Sequence, residues 1–310
     1  MNWNGHEDTL ACLHSLISAQ PAPDAVVVCD NASTDNSLAI IAKKLKQKYN
    51  YQFVSLSNGW FEAINLHPAV VLIPNTSNLG FAAGNNPGIR YALKRNFAFI
   101  WLLNNDTVVY EDTLKHLLRC ASTCSTADIW GSTIVYDNAP DKIQCAGGCT
   151  YNPVTTVFQP AFQGRSLDWI KNCPEPRLDY IYGASLFITR KVFETVGLLN
   201  ELYFLFYEEI DLCRRAGRQG FAMGWCRPSI VRHKQGQSVS LMQRTGRPQI
   251  IAYHETLSTL IFTATYYPLI LPLTLAVRFM GKLAAVMKRG EFHLIRPLMN
   301  AYKDFFRMLG

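Results

Sequence analysis

Three short apolar runs constrain this chain more than any other feature: Val26–Cys29, Val70–Ile73 and Phe97–Leu103. Each is too short for a stable helix and reads as a buried strand, and a polar turn and a helical stretch follow each one. Ahead of the first run, Glu7 and Asp8 favour a helix start, Leu10, Leu13 and Ile17 give that helix an apolar face, and Pro21 and Pro23 end it. A second helix is predicted over Ser37–Lys48. Helix, strand and helix in that order predict an α/β fold around a mostly parallel sheet. A parallel unit needs a strand before its first helix, and no apolar run precedes this one. The expectation is that the true start lies upstream or that the strand is lost.

Further along, helices are predicted over Glu111–Ala121, Lys191–Val196 and Phe206–Arg215, the last stopping near Gly217. Strands are predicted over Ile129–Tyr136, Tyr182–Thr189 and Ala222–Trp225, with Ser229–His233 extended. Residues 49–68 read as irregular, and residues 75–88 as a Gly/Asn-rich loop leading into a helix. Residues 137–180 are Pro/Gly-rich without periodicity and read as one long loop, a length that usually covers a site. Leu257–Met280 has no charged residue before Arg278, about enough to span a bilayer. Tyr266, Tyr267, Pro268 and Pro272 suit a segment lying in the membrane interface equally well. The basic residues beyond it, Lys282, Lys288, Arg289, Arg296, Lys303 and Arg307, suit anionic lipid. A core helix pair of a soluble domain is the plainer alternative. The division expected is a main domain over residues 1–250 and an apolar, basic helical region over 251–310.

The chain is 49% hydrophobic and 17% charged, which excludes a disordered protein. Its net charge of +7 suits an anionic partner, or mere solubility, and does not choose between lipid, sugar nucleotide and nucleic acid. The nine cysteines are odd in number, and Cys120/Cys124 and Cys145/Cys149 are spaced C-x3-C. They are expected to be reduced, mostly buried thiols of a cytosolic protein, with no zinc site. Residues 1–20 carry early acids and no basic n-region, so no signal peptide is expected.

Several polar clusters could carry chemistry. Asp30 ends a predicted strand, where ligands of open sheets bind, and could accept bonds from a base or ribose hydroxyl. Asn31, Ser33 and Asp35 could do the same, or merely cap the next helix. In NLGFAAGNN, Gly80 and Gly84 allow close backbone approach, and Asn85 and Asn86 lie near a helix start that favours anions. Asp106 follows the most apolar strand and is a candidate Mg²⁺ or Mn²⁺ ligand, with Asn104 in support, or else a turn cap. His233 could complete that site or be plain polar surface. The sharpest signal is Glu208, Glu209 and Asp211 in YFLFYEEIDLCRR. Acids this close repel one another, and partial burial beside aromatics raises a carboxylate pKa towards that of a general base. On a helix, Glu208 and Asp211 share a face and Glu209 points away. The alternative is a solvated helix start stabilised by acids.

Together, VVVCDNASTDNS, NLGFAAGNNPGI, WLLNNDT, YGASLFITRKVFETVG, LYFLFYEEIDLCRRAG and HKQGQS, in that order over residues 2–240, resemble the family 2 glycosyltransferases. The branch they are most similar to is the bacterial rhamnosyltransferase-like enzymes of cell-surface polysaccharide synthesis. The resemblance implies a GT-A fold and inverting transfer from a nucleoside-diphosphate sugar to a saccharide or lipid-linked acceptor, with no nucleic acid partner. It implies a cytoplasmic enzyme, on the inner face of the cell membrane. It implies that Asp30, Asn31, Ser33 and Asp35 hold base and ribose, and that Asn78, Gly80, Asn85 and Asn104 line the donor site. Asp106 is then the surviving acid of a D-x-D metal motif, with His233 a further metal or diphosphate contact. Glu208 and Glu209 match a Glu-Asp pair whose second member is the base; here that position is the longer Glu209, which leaves Glu208 and Asp211 as alternative bases. The family's first strand is missing, so a truncated or non-catalytic sugar-nucleotide-binding protein at the membrane is the alternative. A nucleotidyltransferase would need a basic Gly-rich loop near its start, which is absent.

Overall fold

The structure, a computed structural model, describes residues 1–51, 53–55, 59–63, 67–123, 127–234 and 248–309. Its first half runs α1 (His6–Ile17), β1 (Ala25–Asp30), α2 (Ser37–Tyr49), β2 (Phe53–Ser55), β3 (Phe61–Ala63), β4 (Ala69–Pro74), α3 (Gly80–Lys94), β5 (Phe99–Leu103), β6 (Thr107–Val109) and α4 (Thr113–Thr123). The second half runs β7 (Ile129–Tyr136), β8 (Ala139–Ala146), β9 (Gly148–Asn152), β10 (Val157–Pro160), β11 (Tyr180–Ile181), β12 (Ser185–Thr189), α5 (Arg190–Val196), α6 (Glu208–Arg218) and β13 (Met223–His233). Three helices end it: α7 (Pro248–Tyr266), α8 (Leu271–Arg289) and α9 (Ile295–Leu309).

The fold is α/β, but its sheets are mixed. Among the described strands, pairing is parallel only between β1 and β4 and between β7 and β13. The cause is local in part: β7 and β8 are joined through Asp137 and Asn138 alone, and so short a turn can only return the chain antiparallel.

Several sequence readings need correction. Residues 137–180 are not one loop: they hold β8, β9 and β10, and a sheet ordered β10-β9-β11. β8 is exposed along its first half and buried along its second, so it shows no alternation to read. The irregular 49–68 region contains the β2–β3 hairpin, which extends β4. Helix α3 begins at Gly80 and runs through Pro87, because Asn86 is pinned through its side chain to the Leu199 backbone and Glu201. The two pieces before and after Pro228 are one strand, β13, with an irregularity between Cys226 and Ile230. The buried face of α1 is Thr9, Cys12, Leu13 and Leu16; Leu10 and Ile17 are only partly covered. Cys120 of α4 and Cys226 of β13 form a disulfide, so not all the thiols are free. Packing of α4 along β13 brings them together across 106 residues.

The main core lies between the large sheet and helices α3, α6 and α7, with Leu260 and Phe262 of α7 fully buried in it. The boundary expected at 250/251 therefore falls inside a helix that belongs to this core. A second core holds α2 against β1 and β4 through Ile41, Leu45, Val70 and Leu72.

Between the two main sheets there is a gap. β1 is the terminal strand of one and β5 of the other. A cavity of about 510 Å³ separates them, walled by apolar residues of α1, α3, β1 and β5. Beside β1, Asn2 makes an isolated parallel bridge to Asp30.

Candidate active site

The C-terminal end of β1 opens the site. Asp30 is buried, and Oδ1 accepts from Asn2 Nδ2 (2.6 Å) and Ser33 Oγ (2.6 Å) while Oδ2 accepts from the Ser33 amide (3.0 Å). Asn31 is buried too: Nδ2 donates to Asn78 Oδ1 (2.8 Å) and the Gly80 carbonyl (3.1 Å), and Oδ1 accepts from the Leu79 amide (3.1 Å). Asp35 Oδ1 accepts from the amide and hydroxyl of Ser37, at the start of α2, so it does cap that helix. Burial works to raise the Asp35 carboxyl, but bonds from Ser37 and His6 outweigh it and hold the carboxyl below its ordinary value. These residues and Asn78 form one hydrogen-bonded rim.

Gly80 joins this rim to the aromatic run. Its φ is +79°, and a Cβ there would stand 2.2 Å from the Phe204 carbonyl oxygen, so only glycine fits. The same carbonyl accepts from the Phe81 amide (2.7 Å), satisfying a first-turn donor of α3. Asn85 turns back on its own helix, donating to the Phe81 carbonyl (2.9 Å).

A second group forms at the end of β6. Register opposes His233 of β13 to Thr107 of β6, which sets its imidazole beside Asp106. Both side chains are buried, with Nε2 and Oδ1 3.2 Å apart. His233 Nδ1 lies 2.8 Å from Gln144 Oε1. As donor to that oxygen, it leaves Nε2 with a lone pair facing a carboxylate, and Nε2 makes no hydrogen bond among the described residues. Two electron-rich atoms held this way suit a cation. Asn104 keeps this corner in place through its backbone, which bonds the Ala184 carbonyl (3.1 Å) and the Thr107 hydroxyl (2.6 Å). Lys234 pairs with Asp8 beside them, and its amide donates to the Asp106 carbonyl (3.0 Å). Residues 235–238 of the HKQGQS stretch lie outside the described residues.

The third group is the start of α6. Phe206 and Tyr207 both take positive φ, +66° and +74°, immediately before Glu208. Two successive non-glycine residues there cost about 1–3 kcal/mol each and persist only where packing enforces them. Packing does so: Tyr207 is buried among Tyr151, Phe158 and Phe262, and its hydroxyl meets Thr259 Oγ1 at 3.0 Å. The result aims two carboxylates inward. Glu208 is buried, and burial followed by the Glu209 charge pushes its carboxyl well above the ordinary range. Burial alone pushes Glu209 up to about 7. Each has a buried Oε2 without a hydrogen-bond partner among the described residues. Gly183 makes room, since a Cβ there would sit 3.0 Å from Glu209 Oε1.

Asp211 differs from them. Its Oδ2 accepts from Arg215 Nε (2.7 Å) and its Oδ1 from the Tyr266 hydroxyl (2.8 Å). Arg215 in turn holds the carbonyls of Val196 and Leu198. Asp211 therefore anchors α6 to α7 and to the turn after α5.

Tyr182 bridges the second and third groups, and sequence reasoning missed its role although it opens one of the quoted motifs. Its ring centroid is 6.3 Å from that of His233. Burial, then the neighbouring Cys145, Cys149, Glu209 and Asp106, holds its phenol above the ordinary value. It stays protonated, a donor within reach of both groups' fields. Gln144 gave no sequence signal at all; it sits in the stretch read as loop.

Comparison with known proteins bears on the family and the fold. Residues 2–146 match the family described as glycosyl transferase family 2. The low-salt glycan biosynthesis hexosyltransferase Agl10 of Haloferax volcanii is 28% identical over 171 residues, which are 54% of this chain and 53% of that protein, so the match spans about half of each. An N-acetylglucosaminyl-diphospho-decaprenol L-rhamnosyltransferase of Mycobacterium tuberculosis is 25% identical over 275 residues, 81% of this chain and 78% of that protein. The mannosyltransferase PcManGT of Pyrobaculum calidifontis, solved with GDP-Man and Mn²⁺, superposes with a TM-score of 0.52 at 12% identity, covering 98% of this chain and 85% of its own. GalNAc-T7, solved with UDP, GalNAc and Mn²⁺, gives a TM-score of 0.52 at 14% identity, covering 72% of this chain and 40% of its own. The chain thus has a GT-A fold, and its residues 2–146 are similar to the family 2 glycosyltransferases.

Proposed function

We propose that the chain is an inverting glycosyltransferase that moves a sugar from a nucleoside-diphosphate donor to a hydroxyl of a saccharide or lipid-linked acceptor. The observation that carries this reading is the Glu208–Glu209 pair at the start of α6, Glu208 buried and Glu209 half-buried, each with an inward Oε2 that meets no donor among the described residues, beside Tyr182, whose ring also neighbours His233. In the proposed reaction the acceptor oxygen bonds to the anomeric carbon as the bond from that carbon to the diphosphate oxygen breaks. Glu209 takes the acceptor proton; a carboxyl pushed up to about 7 is matched to that task near neutrality. Burial and the neighbouring Glu209 charge push the Glu208 carboxyl up as well. The rim of Asp30, Asn31, Ser33, Asp35, Asn78 and Gly80 receives base, ribose and sugar, with Asn85 and Asn104 behind it. Asp106 and His233 would hold Mg²⁺ or Mn²⁺, which when bound offsets the charge of the departing diphosphate. The lipid-linked rhamnosyl transfer named for the mycobacterial relative makes rhamnose, and cell-surface polysaccharide, the first donor and product class to try.

The proposed working place is a membrane surface on the cytoplasmic side. Helix α8 buries Thr274, Arg278 and Val286 and half-covers Lys282, while Leu273, Val277, Met280 and Met287 face outward. Arg278 donates to Thr156 Oγ1 (2.7 Å) and Lys282 to Glu255 (2.8 Å), so the polar face is fastened to the protein. One segment, Pro268–Arg289, is long and apolar enough to cross a membrane, yet this fastening suits a helix lying in the interface. Phe292, Met299 and Phe306 continue the exposed apolar surface among Lys288, Arg289, Arg296 and Lys303. Met280→Glu should lower cosedimentation with phosphatidylglycerol vesicles; unchanged partitioning would contradict the membrane reading.

Calorimetric titration of the purified chain with UDP and dTDP, with and without Mn²⁺, tests the donor site. Metal-dependent binding that Asp106→Asn removes is the expected result. Binding indifferent to metal and to Asp106 would refute the assignment. Nucleotide binding with no transfer to any acceptor would instead support the non-catalytic alternative.

A further inference from the structure

We infer that the cavity between α7 and α8 is a binding site for the headgroup of an anionic phospholipid, a monoanionic phosphodiester that carries apolar chains. Such a site rests on the membrane surface proposed above and not on the glycosyl transfer.

The cavity measures about 640 Å³, a size that encloses a small ligand. Helical spacing creates it. On α7, Ile251, Ala252 and Glu255 share a face, and on α8 Arg278, Gly281, Lys282 and Ala285 do the same. All of them line the cavity, and Ala252, Gly281 and Ala285 are too small to fill it. A Cβ built on Gly281 would meet no atom within 4 Å.

The charges around this space do not balance. Arg278 is buried, with 6% of its side chain exposed. Its Nη1 donates to Thr156 Oγ1 (2.7 Å) and its Nη2 to Glu255 Oε1 (3.2 Å). Its Nε is buried as well and meets no acceptor among the described residues. Lys282 Nζ donates to both oxygens of the same Glu255 (2.8 and 2.9 Å). Burial works to raise the Glu255 carboxyl, but Lys282 and Arg278 outweigh it and hold the carboxyl below its ordinary value. One ionised carboxylate therefore serves two cations. The other charged pair of the lining, Arg289 and Glu291 (3.9 Å), is balanced. A single positive charge is left over in a largely covered place, where an uncompensated charge is costly. A phosphodiester supplies one negative charge and oxygens that accept strongly from Arg and Lys.

The lining also specifies what the phosphate carries. Ile251, Val277, Val286 and Leu298 surround the charges with apolar surface. Val277 belongs equally to the outward apolar face of α8, so the cavity is continuous with the surface proposed to meet the membrane. Inorganic phosphate would match the charge and leave the apolar lining unmatched, whereas an uncharged chain would do the reverse. A phospholipid matches both.

The test titrates the full 310-residue chain with dihexanoyl phosphatidylglycerol below its micelle concentration, read by calorimetry. Saturable binding at one site is expected. It should be at least tenfold tighter than binding of inorganic phosphate or of dihexanoyl phosphatidylcholine, whose headgroup has no net charge. Gly281→Leu should weaken it at least tenfold, because the new side chain fills the cavity while every charge stays in place. Leucine is the better helix former, and circular dichroism melting establishes that this variant folds. Lys282→Met should weaken binding too, since Glu255 then balances Arg278. Met280→Glu should leave binding of the soluble lipid within twofold while it lowers cosedimentation with vesicles, so the site and the membrane surface can fail separately. Absence of saturable binding would overturn the inference. So would binding untouched by Gly281→Leu in a folded variant, or inorganic phosphate bound as tightly as the lipid. Tighter binding of farnesyl diphosphate would overturn it as well, by assigning the cavity to a lipid-linked diphosphate.

Discussion

The carboxylates of this site fall into two regions with opposite treatment. On the donor side and at the helix anchor, Asp30, Asp35 and Asp211 each accept two or more hydrogen bonds from close neighbours. At the start of α6, Glu208 is buried and Glu209 half-buried against aromatic packing, each with an oxygen that meets no donor among the described residues. The same functional group thus does two jobs. A satisfied carboxylate keeps its charge and fixes geometry, whereas an unsatisfied, desolvated one holds a proton near neutral pH and can exchange it. Sequence spacing alone put Asp211 with the two glutamates; hydrogen bonding separates it from them.

This contrast can be sharpened by experiment. The largest effect should be on the pH profile of transfer. Below about 7 the Glu209 carboxyl is protonated and cannot accept a proton. kcat/KM should therefore fall about tenfold per pH unit on the acid side, roughly 100-fold between pH 7 and 5. A flat profile over that range would break the contrast. Next, Asp211→Asn removes the charge that holds Arg215 and should cost about 2 kcal/mol in urea unfolding. A neutral result would place Asp211 outside the anchoring group. The smallest effect has the opposite sign. A folded-state pKa raised above the unfolded value of about 4.3 means stability that is present at low pH and lost as pH rises. Glu208→Gln cannot ionise, so it should raise the melting temperature by roughly 2 °C at pH 8 and by less at pH 5. Destabilisation at pH 8 would show that the Glu208 charge is compensated after all.

Much of this was legible in the sequence, and the exceptions share a physical cause. The strands β4 and β7 announced themselves because they are buried along most of their length, and β1 because its run is apolar although only its second half is buried. The glutamate pair was legible because its members are adjacent beside an aromatic run. What failed to show was whatever depends on pairing between distant segments. Strands β8 to β10 are short and unevenly buried, so partners rather than periodicity define them. Gln144 reaches His233 across 89 residues, and the Cys120–Cys226 bridge spans 106. The apolar cavity between β1 and β5, and the Asn2 bridge to Asp30 beside it, likewise showed only in the fold.

The account stands most directly on Glu209→Gln. The variant keeps shape and hydrogen-bonding capacity and removes only the ability to take a proton. Turnover, read as nucleoside-diphosphate release from a nucleotide-sugar panel in the presence of acceptor, should drop by about 10²–10⁴-fold. Mn²⁺-dependent nucleotide binding, measured by calorimetry on the same preparation, should stay within twofold of the wild type. Turnover close to wild type, or loss of binding in step with turnover, would contradict the division of labour between the two regions.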